Sequence, residues 1–462
     1  MTVGGRESTS PDGRRAPTSR NAPCSCGSGL PFKRCCGALE PFGRASRVLP
    51  PAFSELLGRA LAAQQAQQFE AARVLYLEAL CAVPEFPDAL HMLGVVYLQT
   101  GDYASALDSI RRAGEAFDWT LPAVRHNARL AAVALLARGA VPEQVETWIA
   151  YRKWRDAPRE ARDAQSGRIS VVVPAFNHAN WVEAALDSLG RQTRPPDEVI
   201  VIDDGSTDET LARIRAVLPR CPGRTVLVAR ANRGAAATIN EAVSLSTGDY
   251  VNVLNSDDRF APTRLEAMSA AVLARGAEWG FSRVSCIDSA GRTIGPGAAP
   301  LADDIEYLAD DVCACESVGL AFLSANPAVS SGNLFFSRAL FERVGGFADL
   351  RYNHDWDFCL RASLIAEPEY VPRAGYEYRI HGANTILGAT GAVAEVASIF
   401  ERFHREAQAL SAPDNPFAPI PWVWGRRYYL RLLRGGQAAM LPPEVLRACV
   451  DAAARCNGPG IP

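Results

Sequence analysis

Residues 169–177 read ISVVVPAFN. A run of β-branched side chains with no polar residue on alternate positions predicts a strand covered on both faces, not one lying at a surface. Working outward, EVIVIDD (198–204), RTVLVA (224–229) and DYVNVLNSDD (249–258) share this character. Between them WVEAALDSLGRQ (181–192), TDETLARIRAVL (207–218) and AAATINEAVSLS (235–246) have helical periodicity. Strands alternating with helices predict an α/β domain, Rossmann-like, with a mostly parallel sheet. Ligands of such sheets bind beyond the carboxyl ends of the strands.

Three of the strands end in polar or specialised residues. The first ends at Pro174, Phe176 and Asn177, the second at Asp203 and Asp204, and the fourth at Asn255, Asp257 and Asp258. As parallel neighbours these ends would meet at one edge, with several carboxylates and no Lys or Arg among them. Mutual repulsion raises the pKa values of such a cluster unless a cation neutralises it. Oxygen-only ligation suits Mg2+ or Mn2+, which takes one or two carboxylates and completes its shell with water and substrate phosphates. The expected ligand is therefore a nucleoside diphosphate. Taken alone, VIDDGSTDET (201–210) reads equally well as a strand, turn and helix cap.

Together these motifs resemble the nucleotide-binding half of family-2 glycosyltransferases of the GT-A fold over Ile169–Asp258, with later motifs extending the likeness to about Asn384. The resemblance implies an inverting, metal-dependent enzyme that uses a nucleotide-sugar donor. It implies that Pro174 and Phe176 line the base pocket and that Asp204, with Asp203 beside it, contacts the uracil or ribose. Asp257 takes the place of the metal-binding aspartate of the D-x-D motif, with Asn255 where its first aspartate usually stands and Asp258 adjacent. Many relatives carry an Arg in the third helix where this chain has Ile239, so Arg233, next to Asn232, is the expected substitute on the diphosphate. In YNHDWDFCLRAS (352–363), Asp355 matches the catalytic aspartate, which accepts the proton of an acceptor hydroxyl. Asp355 and Asp357 also suit a helix start by charge alone. In YEYRIHGANT (376–385), His381 matches a residue that reaches the metal or the diphosphate.

The N-terminal part is different. Residues 1–20 lack hydrophobic period and read as a disordered tail. In RNAPCSCGSGLPFKRCCG (20–37), Cys24, Cys26, Cys35 and Cys36 have the spacing of a tetrahedral zinc site, and the segment resembles the SEC-C zinc motif. That resemblance implies a closed structural Zn2+ knuckle (21–37) that docks to a partner. Residues 52–150 are Ala- and Leu-rich and align with themselves at a 34-residue offset: Ala72, Tyr76 and Ala79 fall against Ala106, Ile110 and Ala113. They resemble tetratricopeptide repeats, an all-α domain. Residues 151–168 are expected to be a linker, 169–385 the GT-A domain, and 386–462 a C-terminal helical cap.

The composition, 48% hydrophobic and 21% charged, is that of an ordinary soluble protein, and a net charge of −3 gives no general basic field for nucleic acid. No secretory leader and no stretch of about 20 apolar residues is evident. Eight cysteines are scattered without a disulfide pattern, which leads to an expected cytoplasmic location. Aromatic and basic residues alternate from Trp422 to Arg434, suiting either peripheral contact with the inner membrane surface or packing on the domain itself. Three functional readings stay open. The acceptor is a protein or peptide recruited by the repeats, it is a lipid-linked or cell-surface glycan, or the chain is an inactive scaffold with a glycosyltransferase-like fold.

Overall fold

A computed structural model describes residues 51–138, 145–157, 167–382, 384, 391–435, 438 and 440–455. The four expected zinc ligands, Cys24, Cys26, Cys35 and Cys36, lie outside these residues. The chain divides into two compact units, one formed by residues up to Ala140 together with Leu441–Pro462, the other by Val141–Met440.

The first unit contains helices α1 (Pro51–Gln65), α2 (Phe69–Ala82), α3 (Pro87–Thr100), α4 (Tyr103–Ala116) and α5 (Pro122–Ala137). Helix α2 begins at Phe69 and α4 at Tyr103, which is the 34-residue step read from the sequence. The aligned positions Ala72, Tyr76 and Ala79 in α2 and Ala106, Ile110 and Ala113 in α4 are all buried. Close approach is built into the sequence: a Cβ at Gly94 would lie 2.4 Å from Cγ1 of Ile110, so α3 and α4 cross as tightly as they do only because Gly stands there. The last helix among the described residues, Pro443–Arg455, packs on α5 in this unit. The segment 386–462, expected as one cap, is therefore split between the two units.

The second unit begins with α6 (Val145–Asp156). The start of the expected linker, residues 151–156, is thus helical, and Tyr151 is buried with its ring 5.3 Å from that of Phe417. Then follow β1 (Ile169–Ala175), α7 (Val182–Gly190), β2 (Glu198–Asp203), α8 (Thr210–Val217), β3 (Arg224–Ala229), α9 (Ala235–Leu245), β4 (Tyr250–Val253), β5 (Arg259–Phe260), α10 (Arg264–Arg275), β6 (Trp279–Ile287) and β7 (Thr293–Ile294). Next come α11 (Pro300–Ala314), α12 (Val318–Ala321), β8 (Leu334–Ser337), α13 (Arg338–Val344), α14 (His354–Ile365), β9 (Glu369–Arg379), α15 (Ala392–Ala409), α16 (Pro421–Trp424) and α17 (Arg426–Arg434), with Pro443–Arg455 as α18. The strands form one sheet of order β3-β2-β1-β4-β8-β6-β9-β5, with β7 on β6. It is parallel across β3-β2-β1-β4, as expected, and mixed beyond, because β8 runs antiparallel to both β4 and β6.

The pure Val and Ile runs of β1 and β2 are buried almost throughout, which explains why they show no alternation. Fully burying each such side chain contributes roughly 1.5–3 kcal/mol against leaving it exposed. Behind the site-bearing end of β4 lies an unusual anchor. The Arg264 guanidinium, fully buried, donates to Asn252 Oδ1 (3.2 Å), Ser282 Oγ (2.8 Å) and the Asn333 carbonyl (2.9 Å), and stands over the Phe260 ring at 4.7 Å. Burial pushes its pKa down to about 9. Arg264→Met leaves several buried acceptors unpaired, at about 1–3 kcal/mol each, so a stability loss of about 3 kcal/mol is expected in a denaturant titration. Lys in its place recovers little, lacking the fork of donors.

Glu367, after α14, is buried and accepts from the Gly319 N–H (3.0 Å) and Asn415 Nδ2 (3.1 Å). Burial raises its pKa to about 7 against these donors. Its folded-state pKa exceeds the unfolded value, so the stability it contributes is present at low pH and is lost as pH rises toward and through 7. Glu367→Gln is expected to flatten that slope: between pH 5 and pH 8 its melting temperature should fall less than that of the unaltered chain.

The stretch from Trp422 to Arg434 turns its aromatic residues largely inward. Trp424 and Tyr428 are fully buried, and Arg431 pairs with Asp311 at 2.8 Å, while Trp422 stays 54% exposed. Among the described residues no helix is long and apolar enough to cross a membrane.

Candidate active site

In the parallel half of the sheet Ala175 is in register with Asp203, and Val172 with Val253, so the ends of β1, β2 and β4 share one edge. A cavity of about 830 Å³ opens there. Pro174, Phe176, Asp204 and Asn232 line it, as do Asp257 and Asp355. Phe176 is held out at 43% exposure, an aromatic face offered to a ligand where a core residue would be hidden.

The two adjacent carboxylates after β4 have opposite fates. Asp257 Oδ2 is 3.1 Å from His381 Nε2 and 3.7 Å from His178 Nε2. Burial alone would raise its pKa, but the hydrogen bond from His381 and the charges of His178 and His381 outweigh it and hold the carboxyl below its ordinary value. Asp258, 1% exposed, turns inside: Oδ1 accepts the Arg379 N–H (2.7 Å) and Oδ2 the Tyr376 hydroxyl (2.5 Å). Burial, then the neighbouring Asp257 charge, push it well above the carboxylate range. The expectation that Asp258 joins the cation is corrected by this geometry; it ties the β4–β5 turn to β9. Asn255 is also engaged, donating from Nδ2 to Ser330 Oγ (2.8 Å) and accepting at Oδ1 from Ser331 Oγ (3.2 Å).

Among the described residues, His178, Asp257 and His381 form a cluster able to hold a metal ion, each offering one ligand atom, all within 4.8 Å of one another. The set expected from the sequence, Asp257, Asn255 and Asp258 with His381, thus becomes two imidazoles and one carboxylate. Ser256 Oγ lies 2.8 Å from His178 Nδ1, which leaves Nε2 free to coordinate, and Trp181 stacks on His381 at 4.0 Å. This donor set fits a divalent transition ion such as Mn2+ better than Mg2+, which prefers oxygen. His178 was missed in the sequence because one histidine in a loop after a strand carries no signal by itself.

On the side of β2, Asp204 works for the fold as well as the cavity. Oδ1 accepts the Arg233 N–H (2.8 Å) and Oδ2 the Gly234 N–H (2.9 Å), at the start of α9, where a negative charge is favoured; Arg230 also binds Oδ1. Asp203 accepts the Ser206 N–H at Oδ2 (3.2 Å), while its buried Oδ1 has no hydrogen-bond partner among the described residues. Arg233 departs from its expected role: its guanidinium lies on Glu241 (3.2 Å), and it does not line the cavity. Ile239 does line it, and so does Arg351, which no sequence signal singled out.

Asp355, in the first turn of α14 and 8% exposed, lines the same cavity. Its Oδ1 accepts the Trp356 N–H at 2.8 Å. Burial raises its pKa, and the nearby His354 charge and backbone N–H groups only partly offset this. Asp357, two residues on, serves structure by pairing with Arg361 (2.6 Å) and Arg402. A carboxylate lining the same cavity as a cation-holding cluster is an arrangement for moving a proton at one end of a bond and stabilising charge at the other.

Comparison with known proteins agrees with the resemblances read from the sequence. Residues 170–292 match the family described as Glycosyl transferase family 2, and residues 20–38 match the SEC-C motif. The chain is 27% identical over 224 residues to hyaluronan synthase of Pasteurella multocida, an alignment covering 48% of this chain and 21% of that protein. It thus spans about a fifth of the length of that relative. Among solved structures, the mannosyltransferase PcManGT of Pyrobaculum calidifontis, in complex with GDP-Man and Mn2+, is similar with a TM-score of 0.43 and 22% identity, covering 76% of this chain and 88% of that one. TarS 1-349 of S. aureus in complex with UDP-GlcNAc is similar with a TM-score of 0.43 and 18% identity, covering 57% and 72%.

Proposed function

We propose that this chain is a metal-dependent, inverting glycosyltransferase that moves a sugar from a nucleoside-diphosphate donor to an acceptor hydroxyl. The observation that carries the reading is one cavity lined both by His178 and Asp257 of the metal-capable cluster and by Asp355. Pro174, Phe176 and Asp204 hold the base and ribose, and Asn232 lies beside them. Arg351 takes the diphosphate contact expected of Arg233.

His178, Asp257 and His381 would hold the cation, with Mn2+ favoured by the two imidazoles. When bound, it supplies positive charge where the departing diphosphate accumulates negative charge. Asp355 accepts the acceptor proton as the hydroxyl oxygen forms its bond to the anomeric carbon, and the bond from that carbon to the phosphate oxygen breaks with its electron pair going to the diphosphate. One carboxylate positioned as base suffices for a single displacement, so configuration inverts.

The SEC-C segment holds a structural Zn2+ through Cys24, Cys26, Cys35 and Cys36, and it acts with the repeats to recruit a protein or peptide acceptor. A chain trimmed of both 1–140 and 441–462 keeps α6 with its own unit and removes α18 along with the repeats it packs on. It is expected to turn over donor normally but to lose at least tenfold in transfer to the natural acceptor. Transfer that stays unchanged would favour a lipid-linked or surface glycan acceptor instead. The function itself is tested by offering a panel of labelled nucleotide-sugars, with Mn2+, to extract of the source cell. Label entering a protein or glycan fraction supports transfer, whereas no donor consumed by the full chain favours a scaffold.

A further inference from the structure

Helix α15 follows the residues that match the glycosyltransferase family, and in the sequence it reads as part of a cap. Its first turn nevertheless reaches the loop that enters α14. Glu395 Oε1 accepts the N–H of Arg351 (2.8 Å), and Oε2 accepts those of Tyr352 (2.9 Å) and Asn353 (3.1 Å). One carboxylate thereby gathers three consecutive backbone N–H groups, two residues short of Asp355. The bonds are charge-assisted and correspondingly strong. They outweigh the effect of partial burial and keep Glu395 below its ordinary pKa.

Asn353 is the N-cap of α14, where an Asn side chain ordinarily bonds its own helix. Here it makes no such bond. Its Nδ2 donates instead to the Ala392 carbonyl (3.1 Å) and to Glu395 Oε2 (3.3 Å), both on α15. Two turns further along α15, Arg402 binds Asp357 Oδ1, and Arg361 holds the other oxygen of that carboxylate at 2.6 Å. Helix α15 is thus latched to α14 on both sides of Asp355 in sequence, and the loop it pins, Arg351–Asn353, lines the cavity.

We propose that Glu395 is a positioning residue for transfer: by fixing the Arg351–Asn353 loop it sets where Asp355, two residues on, stands against the donor. This rests on the reading of Asp355 as the base. A catalytic group displaced by about 1 Å can cost on the order of a hundredfold in rate, so removing the latch acts on turnover more than on binding.

The test compares Glu395→Ala, Glu395→Gln and Asp355→Asn in the full chain. Three quantities are read: affinity for UDP and for GDP with Mn2+, kcat and KM for the donor turned over fastest in a panel of UDP- and GDP-sugars, and hydrogen exchange of the 351–356 amides. For Glu395→Ala the expected result is a kcat lower by about 10- to 100-fold, nucleotide affinity and donor KM within about twofold, and faster exchange confined to 351–353. Glu395→Gln, which keeps one acceptor oxygen, falls between. An unchanged kcat despite faster exchange overturns the proposal while leaving Asp355 as base, provided Asp355→Asn is silent. Full turnover by Asp355→Asn overturns the base assignment and the proposal with it. Should Glu395→Ala fail to fold, Glu395→Gln carries the same comparison, and loss of nucleotide affinity in step with kcat would mark a merely structural role.

Discussion

Asp257→Asn removes Mn2+-dependent nucleotide binding and lowers sugar transfer by about three orders of magnitude or more, while the melting temperature stays within a few degrees. The expectation follows from the isolation of this carboxylate. Asp258 is spent on Arg379 and Tyr376, and Asn255 on Ser330 and Ser331, so Asp257 brings the one carboxylate to a cluster whose other ligands are the imidazoles of His178 and His381. Asn keeps the volume and one oxygen but loses the charge, and a charge-stabilising ion contributes several kcal/mol at the transition state, each 1.36 kcal/mol being a tenfold rate. Calorimetric titration of the nucleoside diphosphate with and without Mn2+ checks it. Asp258→Asn is the contrasting control: its hydroxyl and backbone partners lie inside the fold, so it should lose stability first.

Asp355→Asn is expected to lower kcat by about 10²- to 10⁴-fold with nucleotide affinity unchanged, the range of effect for a general base. Its pH dependence adds a second reading. Burial raises the folded-state pKa, and the base acts only when deprotonated, so the rate falls with decreasing pH at values above the ordinary carboxylate range. In Asp355→Asn the residual rate lacks that acid limb. A limb that persisted with the same midpoint would belong to another group and would remove Asp355 from the role.

The parallel half of the sheet was readable because burial on both faces leaves its mark in sequence as unbroken Val and Ile, and because strand ends at Asp204 and Asp257 fall where side chains must face ligand. The repeat period was readable too, since the buried positions Ala72, Tyr76 and Ala79 recur 34 residues on as Ala106, Ile110 and Ala113. What stayed hidden depended on pairing across long separations. Nothing near Asp258 indicates that its oxygens are taken by residues more than a hundred positions later. His178 joins the cluster only once β1 and β4 are neighbours, and Glu395 matters only once α15 lies on the loop before α14. The split of the C-terminal segment was equally invisible, since α18 has an ordinary amphipathic pattern and its packing partner α5 is over 300 residues earlier.

Anomalous diffraction at the manganese edge, from crystals of the full chain grown with UDP or GDP and Mn2+, tests whether His178, Asp257 and His381 hold the cation against the nucleotide. One manganese peak is expected, coordinated by His178 Nε2, Asp257 and His381 Nε2, with the diphosphate on its open side and the base toward Phe176. Manganese bound elsewhere, or nucleotide absent from this cavity, would contradict it.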